Sequence, residues 1–433
     1  MKAIILNGSN ANDNTGERLY TALLAKLQEW GWESEHILLR EKNIGNCAGD
    51  FYCWVRSPGM CNVNDDNREI AAAIANSDLL VYLTPITFGG YSSELKRMVD
   101  HQIQNISPFF ASIDGETHHQ RRYTRYPIFL VVGWLEQANQ RAEAIFRNLV
   151  QRNALNIYAE KAYCGIALSN QTDAELLRQA GDWLKALKDG PGSQEADSPE
   201  IEVLPVENCP APRHALLLVG SPRTRKSTSH SLGAYLMGQL AARSVETETI
   251  QVYTSLNNPQ RMHVLLKKLE AADLAVLAFP LYVDSLPAPV ISLLERISAQ
   301  RADCTTQIRF AALANCGFPE AHHNDTALLI CSEFARQTGL NWAGGLALGA
   351  GQGLVNGTPL DELDGRVIPL KNALDLTAEA LSRGEPIPDE AQRLLAKPFI
   401  PAWLYRFMGS FGWKQQARKW GVNQALRRRT YQR

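Results

Sequence analysis

Two stretches of the sequence combine glycine with hydroxyl and amide side chains in a pattern suited to binding an anion. LNGSNANDNTGERL, at residues 6–19, and LVGSPRTRKSTSHSL, at residues 218–232, each begin where an apolar run ends. Helically spaced apolar residues follow both stretches, so each predicts a strand, a turn and a helix. The free N–H groups and the dipole of a helix N-terminus bind phosphate well. The sequence therefore predicts two phosphate-binding turns.

Particular residues of both turns are candidate phosphate donors. In the first copy they are Ser9, Asn12, Asn14 and Thr15, with Gly16 allowing close approach. In the second copy they are Ser221, Ser227, Thr228 and Ser229, with Arg223 adding positive charge. The alternative is that these side chains only cap the helices. Neither turn has the Gly-Lys-Ser/Thr ending of a P-loop or the G-x-G-x-x-G of a dinucleotide-binding turn.

A second pair of matching stretches extends the repeat. Residues 75–100 and 269–296 each read as a helix end, an apolar strand, a proline-bearing loop and another helix. Asp78 and Pro85 match Asp273 and Pro280 at a constant offset of 195 residues. A repeat period this long indicates domain duplication.

Apolar strands that alternate with helices indicate an α/β fold in each half, with a doubly wound parallel sheet. We expect one domain at residues 1–190 and a diverged second domain at residues 213–385. A linker at residues 191–212 would join them, since residues 188–200 are rich in Gly, Pro, Ser and acidic side chains. Residues 386–433 would form a C-terminal arm.

The composition is that of a globular protein. The 433 residues are 45% hydrophobic and 21% charged, and no apolar run approaches the ~20 residues of a membrane-spanning helix. Eight cysteines in a chain of this length do not make a disulfide scaffold. No secretory signal is recognisable, so we expect a cytoplasmic protein.

The loop after the third predicted strand is a candidate for holding a flat ring. Ligands of open α/β sheets bind at the carboxyl ends of the strands. The candidates in the first domain are Pro85, Ile86, Thr87, Phe88, Gly89 and Gly90, together with Trp134 beyond the next strand. Their counterparts in the second domain are Pro280, Leu281 and Tyr282. The alternative is an ordinary glycine turn beside core aromatics.

These motifs resemble those of the flavodoxin-like NAD(P)H-dependent FMN reductase family. The likeness rests on the Gly-Ser turn, on the strand from Asp78 to Thr87, and on the helix with Ser92, Leu95, Lys96 and Asp100. It implies that FMN binds through the residues named above, and that NAD(P)H is the electron donor. It also implies a homo-oligomer. The acceptor would be a quinone, a flavin, a metal centre or an organic substrate.

Within this family the first half resembles the multimeric-flavodoxin and iron–sulfur flavoprotein branch, which carries a cysteine insert. The first half is 17 residues longer than the second between the matched turn glycine and aspartate, and the excess corresponds to residues 43–66. Cys47, Cys53 and Cys61 remain, but Asp50 stands where the branch has its second cysteine. We therefore predict no metal, because a four-iron cluster needs four thiolates. The insert would cover the flavin or form a subunit contact, or Cys47 would be a redox-active thiol.

Two functional hypotheses compete. In the first, the protein is an FMN oxidoreductase whose chemistry belongs to the cofactor, since no catalytic triad or HExxH motif is recognisable. In the second, it is a flavodoxin-like electron carrier or an assembly module with a degenerate second domain.

The C-terminal residues are basic and aromatic. Residues 393–433 contain ten Lys or Arg and no acidic side chain, which leaves a balance of −11 on the remaining residues. We expect the arm to dock on the acidic body or on a partner subunit. Peripheral membrane contact is the second interpretation, and nucleic-acid binding, which the fold does not support, is the least favoured.

Overall fold

The chain folds into two compact units. The computed structural model describes residues 1–189, 204, 207–302, 304, 306–363 and 365–432. One unit consists of Met1–Ile201 with Arg406–Arg433, and the other is Glu202–Tyr405. Most of the expected linker, residues 191–212, lies outside the described residues.

The first unit is built on a five-stranded parallel sheet. The described residues of this unit form seven strands in all: β1 (Lys2–Asn7), β2 (Glu33–Leu38), β3 (Leu79–Pro85), β4 (Ile106–Ile113), β5 (Glu116–Arg121), β6 (Ile128–Leu135) and β7 (Ala162–Leu168). The sheet order is β2-β1-β3-β6-β7, and each neighbouring pair is parallel. β4 and β5 form a separate antiparallel pair.

Helices connect these strands. They are α1 (Thr15–Glu29), α2 (Tyr52–Val55), α3 (Asn67–Ala75), α4 (Ser93–His101), α5 (Gln140–Asn156) and α6 (Asp173–Asp189). α1 buries Leu19, Leu23 and Leu27, which recur every four residues and so share one face. This face packs into a core with the alternate residues of β1, β3 and β6.

The second unit repeats the architecture. Its strands are β8 (His214–Val219), β9 (Glu246–Gln251), β10 (Leu274–Pro280), β11 (Arg309–Asn315) and β12 (Asn341–Leu348). Its helices are α7 (Thr228–Ala241), α8 (Val252–Ser255), α9 (Pro259–Glu270), α10 (Ala288–Arg301), α11 (Asp325–Gln337), α12 (Gly351–Leu354), α13 (Ile368–Ser382) and α14 (Asp389–Ala396), and α15 (Ala402–Arg418) follows them. The parallel sheet order β9-β8-β10-β11-β12 matches that of the first unit. The prediction of two tandem doubly wound domains is confirmed.

The repeat extends to individual contacts. Gly8, after β1, has no room for a side chain, because an added Cβ would lie 2.6 Å from Cβ of Leu95 on α4. Gly220, after β8, has the equivalent conflict with Val290 on α10. Leu95 and Val290 differ by the same 195 residues as the matched prolines. The turn glycine is thus required for close packing of the helix that follows the central strand.

The structure differs from expectation in two places. The hairpin of β4 and β5 was not foreseen, since a short antiparallel pair beside the main sheet leaves no strong apolar run. The arm was expected from residue 386, yet α14 buries Ala391 and Leu395 in the core of the second unit. The segment that returns to the first unit begins at Arg406. Among the described helices, none has the length and apolarity needed to cross a bilayer.

Candidate functional site

The first turn, residues 8–16, lies at the carboxyl edge of the sheet. The N–H of Gly8 donates to the carbonyl of Leu83 at 2.8 Å, and Ser92 Oγ donates to the Gly8 carbonyl at 2.7 Å. These bonds tie the ends of β1 and β3 together. Ser9 is buried and its N–H donates to Asn7 Oδ1 at 3.0 Å, so the turn has a fixed base.

The outer part of this turn is open. Asn12 and Asn14 are exposed. Asn14 is the N-cap residue of α1, but its side chain makes no capping hydrogen bond. Thr15 and Gly16 are buried as the first residues of the helix. A Cβ on Gly16 would lie 2.7 Å from Asn7 Oδ1, so this glycine is required for the tightness of the turn. The open amides lie at a 15-residue helix whose N-terminal dipole favours an anion.

Sequence reasoning missed two charged groups of the first turn. Arg40 donates from Nη1 to Ser9 Oγ at 2.8 Å, which brings a guanidinium to the turn from beyond β2. Asp13 accepts from the N–H of Thr15 at 2.8 Å and from Trp134 Nε1 at 2.6 Å. Asp13 belongs to the motif and was available to sequence reasoning, whereas Arg40 is brought there by pairing of β1 with β2.

The loop after β3 forms a tight turn. Thr87 and Gly90 exchange backbone hydrogen bonds at 2.9 and 2.7 Å. Between them Phe88 and Gly89 have positive φ values of 53° and 85°. A Cβ on Gly89 would lie 2.7 Å from Cβ of Ile145, so the glycine allows α5 to approach.

The remaining residues of the predicted ring site flank this turn. Pro85 ends β3, and the N–H of Ile86 donates to the carbonyl of Trp134 at 2.9 Å. Phe88 and Trp134 are both buried, Trp134 to 2% exposure. Both aromatic side chains are thus packed inside the domain, and Trp134 positions Asp13 through its indole N–H.

The second turn, residues 220–229, uses its hydroxyl groups internally. Ser227 Oγ accepts from the N–H of His230 at 3.1 Å and donates to the Thr224 carbonyl at 2.6 Å. Ser229 Oγ accepts from Asn315 Nδ2 at 2.8 Å, and Ser221 Oγ accepts from the N–H of Arg223 at 3.3 Å. These bonds match the capping alternative. Arg223 itself is exposed.

A glycine strap, residues 349–358, covers the second turn. Thr228 Oγ1 donates to the carbonyl of Gly351 at 3.2 Å. A Cβ on Gly357, whose φ is +79°, would collide with the carbonyl of Lys226. At the other end of the strap, a Cβ on Gly349 would collide with the carbonyl of Pro319, beyond β11. The strap thus runs across the carboxyl edge of the second sheet, from the end of β11 to the start of α7.

The loop after β10 reproduces the turn of the first domain with different residues. Pro280 ends β10, and Leu281 donates its N–H to the Asn315 carbonyl at 2.8 Å. Tyr282 and Ser285 pair as Thr87 and Gly90 do. Asp284 takes the position of Gly89 with a φ of 54°, a conformation that costs a non-glycine residue about 1–2 kcal/mol.

The donor chemistry of the first turn fits the phosphate of FMN. The turn offers exposed amides, a helix N-terminus and the Arg40 guanidinium, and Asp13 directs its carboxylate inward to Thr15 and Trp134. The second turn does not fit equally well, because its hydroxyls are engaged and the glycine strap lies against it.

The cysteine insert does not fit a four-thiolate cluster. Residues 43–66 hold three cysteines, and Asp50 Oδ1 accepts from the N–H of Tyr52 at 3.0 Å. Cys61 Sγ lies 3.6 Å from His101 Nδ1. Among the described residues, the three sulfur atoms do not all lie within 4.8 Å of one another, as a tetrahedral zinc site would require. The absence of a metal stays a prediction, which metal analysis of the purified protein would test.

The expected redox role of Cys47 has little support in its surroundings. Burial, with the nearby carboxylate of Asp100 adding to it, raises the pKa of Cys47 to about 12. A thiol that stays protonated is a poor nucleophile.

Two curated relatives match about a quarter of the chain. An iron–sulfur flavoprotein of Methanocaldococcus jannaschii is 32% identical over 100 residues, which are 23% of this chain and 51% of that protein. An iron–sulfur flavoprotein of Archaeoglobus fulgidus is 25% identical over 103 residues, 24% of this chain and 46% of that protein. The chain therefore spans about half the length of the curated relatives it matches.

Two solved structures match less than half of this chain. An NAD(P)H:quinone oxidoreductase from Methanothermobacter marburgensis has a TM-score of 0.35 at 14% identity, covering 44% of this chain and 98% of that one. An FMN-dependent NADH-azoreductase from Bacillus anthracis has a TM-score of 0.31 at 12% identity, covering 39% and 99%.

The family model of the NADPH-dependent FMN reductases matches residues 1–164 and again residues 214–329. The first match contains β1 to β6 and the start of β7, the second contains β8 to β11, and together they cover more than half of the chain. The chain therefore belongs to the NADPH-dependent FMN reductase family, a family of flavodoxin-like oxidoreductases that use FMN, and carries its domain twice.

Proposed function

We propose that this protein is an FMN-dependent NAD(P)H oxidoreductase whose flavin binds in the first domain. The observation that carries the proposal is the difference between the two turns. Asn12 and Asn14 are exposed, and the side chain of the N-cap residue Asn14 makes no capping bond, although Asp13 accepts from the N–H of Thr15. Ser227 and Ser229 of the second turn, in contrast, are engaged in internal hydrogen bonds.

Each part of the first site has a distinct role. Asn12, Asn14 and the N–H groups that begin α1 bind the phosphate, and Arg40 supplies the compensating positive charge. The loop from Pro85 to Gly90 presents backbone groups to the edge of the ring. FMN itself, when bound, supplies the hydride and electron chemistry between NAD(P)H and the acceptor. The acceptor class remains the one stated above: a quinone, a flavin, a metal centre or an organic substrate.

The second domain acts without flavin in this proposal. The glycine strap lies against the second turn, so backbone atoms take space that a phosphate would need. Asp284, in the position of Gly89, also adds negative charge where a reduced flavin would sit. The domain contributes its fold to the stability or the homo-oligomeric assembly of the protein.

The test is FMN binding to an Asn14→Asp variant. Aspartate is as good an N-cap as asparagine and favours the helix dipole, so the fold should be kept. Its charge repels the phosphate, and we expect FMN affinity to fall about tenfold or more, since charge-assisted hydrogen bonds contribute about 1.5–3 kcal/mol. Lys226→Glu, an exposed residue of the second turn, is the matched control and should keep one FMN per chain.

Two flavins per chain, or loss of FMN in the control alone, would contradict this assignment.

The second candidate function, an electron carrier or assembly module, is favoured by the covered second turn. NAD(P)H oxidation by the purified protein separates the candidates, because a carrier or module would bind FMN yet fail to oxidise NAD(P)H. We expect the reaction to occur in the cytoplasm, where the thiols of the eight cysteines would stay reduced.

We propose further that the arm contacts an anionic membrane surface. Part of the arm docks on the first unit: Ala417 and Leu426 are buried in a cluster with Trp54 and Phe109. On the opposite part of α15, Phe407 is 72% exposed and Phe411 is 59% exposed. These two residues are four apart on one helical face, and the surrounding residues 393–433 are basic without any acidic side chain. An apolar face flanked by positive charge suits anionic lipid.

Sedimentation with vesicles tests this contact. The full chain should bind vesicles of phosphatidylglycerol and phosphatidylcholine and not vesicles of phosphatidylcholine alone. A Phe407→Ser/Phe411→Ser double variant should lose binding at unchanged thermal stability, since neither side chain is buried. Absence of binding overturns the proposal, and a change of oligomeric state in the double variant would assign the face to a second copy of the chain.

A further inference from the structure

The cysteine insert brings one thiol against a buried histidine. Cys61 Sγ lies 3.6 Å from Nδ1 of His101, the last residue of α4, which is 4% exposed. The other ring nitrogen, Nε2, lies 2.8 Å from the carbonyl oxygen of Gly45. Since a carbonyl oxygen only accepts, Nε2 carries a proton and Nδ1 is left facing the sulfur. A thiol, a base and a group that orients the base are thus in place.

The backbone of Cys61 is held on both sides. Its N–H donates to Gln104 Oε1 at 2.8 Å, and its carbonyl accepts from Arg68 Nε at 2.9 Å. The residue is only partly buried, and the three residues after it, 62–64, are exposed. The backbone of Cys61 is therefore fixed, and the residue is partly exposed.

Electrostatics favour the charged forms of this pair. Burial opposes ionisation of Cys61, but the hydrogen bond and charge of His101, together with the N–H of Val63, lower the pKa of Cys61 below its ordinary value. Burial likewise opposes protonation of His101, yet Cys61 and the Gly45 carbonyl raise the pKa of the imidazole. The two shifts have opposite directions, as expected when a thiolate and an imidazolium stabilise each other.

The neighbouring thiols behave differently. Burial raises the pKa of Cys47 to about 12 and that of Cys53 well above its ordinary value. Other titratable groups that interact with the pair are Cys47, Cys53, Asp65, Asp100 and Tyr431. Cys61 is thus the one cysteine of the three in the insert whose pKa is lowered.

We propose that Cys61 and His101 form a thiolate–imidazolium pair that makes Cys61 the site of oxidation by hydrogen peroxide. The thiolate attacks one oxygen of the peroxide, and an S–O bond forms as the O–O bond breaks. Sulfur loses two electrons and becomes a sulfenic acid. The hydroxide that leaves takes the Nδ1 proton of His101, so peroxide is reduced to water. The insert thereby acts as a thiol site, independently of whether the first domain holds FMN.

Alkylation with iodoacetamide, followed by peptide mass spectrometry, tests the pair in the full native chain. Cys304 is the internal control, since it is exposed and its Sγ contacts the Gln300 carbonyl. At pH 7 we expect Cys61 to react about tenfold faster than Cys304, although accessibility alone favours Cys304. His101→Gln should slow Cys61 about tenfold at pH 7, and the difference should shrink as the pH rises and the thiol ionises without help from the imidazolium.

Peroxide treatment gives the second readout. A dimedone adduct should form at Cys61 and be absent in Cys61→Ser. If the His101 variant fails to fold, the pH dependence of alkylation in the unaltered protein decides, since Cys61 must keep reacting below the ordinary cysteine pKa of about 8.5. The proposal is overturned if Cys304 reacts faster than Cys61, or if the two alkylation rates depend on pH in the same way. It is also overturned if the dimedone adduct forms at Cys47 or Cys53 instead, or if stoichiometric iron blocks Cys61.

Discussion

The carboxylate of Asp13 joins the first turn to the indole of Trp134. Oδ2 accepts from Trp134 Nε1 at 2.6 Å, and Oδ1 accepts from the N–H of Thr15 at 2.8 Å. An acidic group thus occupies the N-terminus of α1, where a bound phosphate would add further negative charge. This contact fixes the turn at the expense of anion affinity.

Replacing Asp13 by Asn should strengthen FMN binding. The amide oxygen retains one of the two accepted hydrogen bonds, and the like charge beside the phosphate is removed. We expect the Kd for FMN to fall about fivefold, the equivalent of about 1 kcal/mol for a partly exposed charge pair. Fluorescence quenching titration of the apoprotein measures it. Glu29→Gln, at the opposite end of α1, removes an equal charge and should leave the Kd unchanged. Weaker binding of the Asp13 variant would show that Asp13 helps to form the site.

The glycine strap should stabilise the second domain without affecting flavin content. Gly357→Ala forces a Cβ against the carbonyl of Lys226 at a φ of +79°, so we expect about 1–3 kcal/mol of destabilisation. Gly238→Ala on α7 is the control, since nothing lies within 4 Å of its added Cβ and alanine favours a helix by about 1 kcal/mol. Thermal unfolding with FMN quantification checks both variants. A gain of FMN in the Gly357 variant would mean that the strap had been excluding flavin from a working site.

Removing residues 406–433 should destabilise the first unit. Arg122, buried beneath the arm, donates from Nη1 to the carbonyls of Leu426 and Arg428 at 3.2 and 2.8 Å. Without the arm Nη1 of Arg122 loses both acceptors while Nε keeps the Ile106 carbonyl, and the apolar surface of Trp54 and Phe109 becomes exposed. We expect a lower Tm and increased binding of a hydrophobic dye. Arg429→Ala, within the arm, is the control for loss of charge alone. An unchanged Tm after truncation would show that docking contributes no stability.

His119 should make the first unit sensitive to acid. Burial lowers the pKa of His119 to about 3, whereas in the unfolded chain an ordinary histidine has a pKa of about 6.5. The unfolded state therefore binds the extra proton between these values, and the stability contributed by neutral His119 is lost as the pH falls through that window. His119→Gln should flatten the dependence of the free energy of unfolding on pH between about 6 and 4. The control is His214→Gln at an exposed position, which should leave the pH dependence of the free energy of unfolding unchanged. An equal slope in both variants would assign the acid sensitivity to other groups.

The sequence by itself determined the fold and its duplication. Apolar strand runs and the constant spacing of Asp78 and Pro85 to Asp273 and Pro280 are local signals, so they can be read without knowledge of long-range contacts. The same holds for the two Gly-Ser turns, because a strand, a turn and a helix are neighbours along the chain. Family membership follows from these motifs.

Tertiary structure decided which turn remains open and which cysteine lies against a histidine. Ser227 and Asn14 look alike as helix N-caps, but a strap more than 100 residues further on covers only the second turn. Cys47 and Cys61 belong to one insert, yet only Cys61 meets His101, 40 residues away at the end of α4. Arg40 likewise comes to the first turn through the pairing of β1 with β2. Hydrogen bonding and ionisation depend on distances of a few ångströms between residues far apart in the chain, and spacing along the sequence carries no information about those distances.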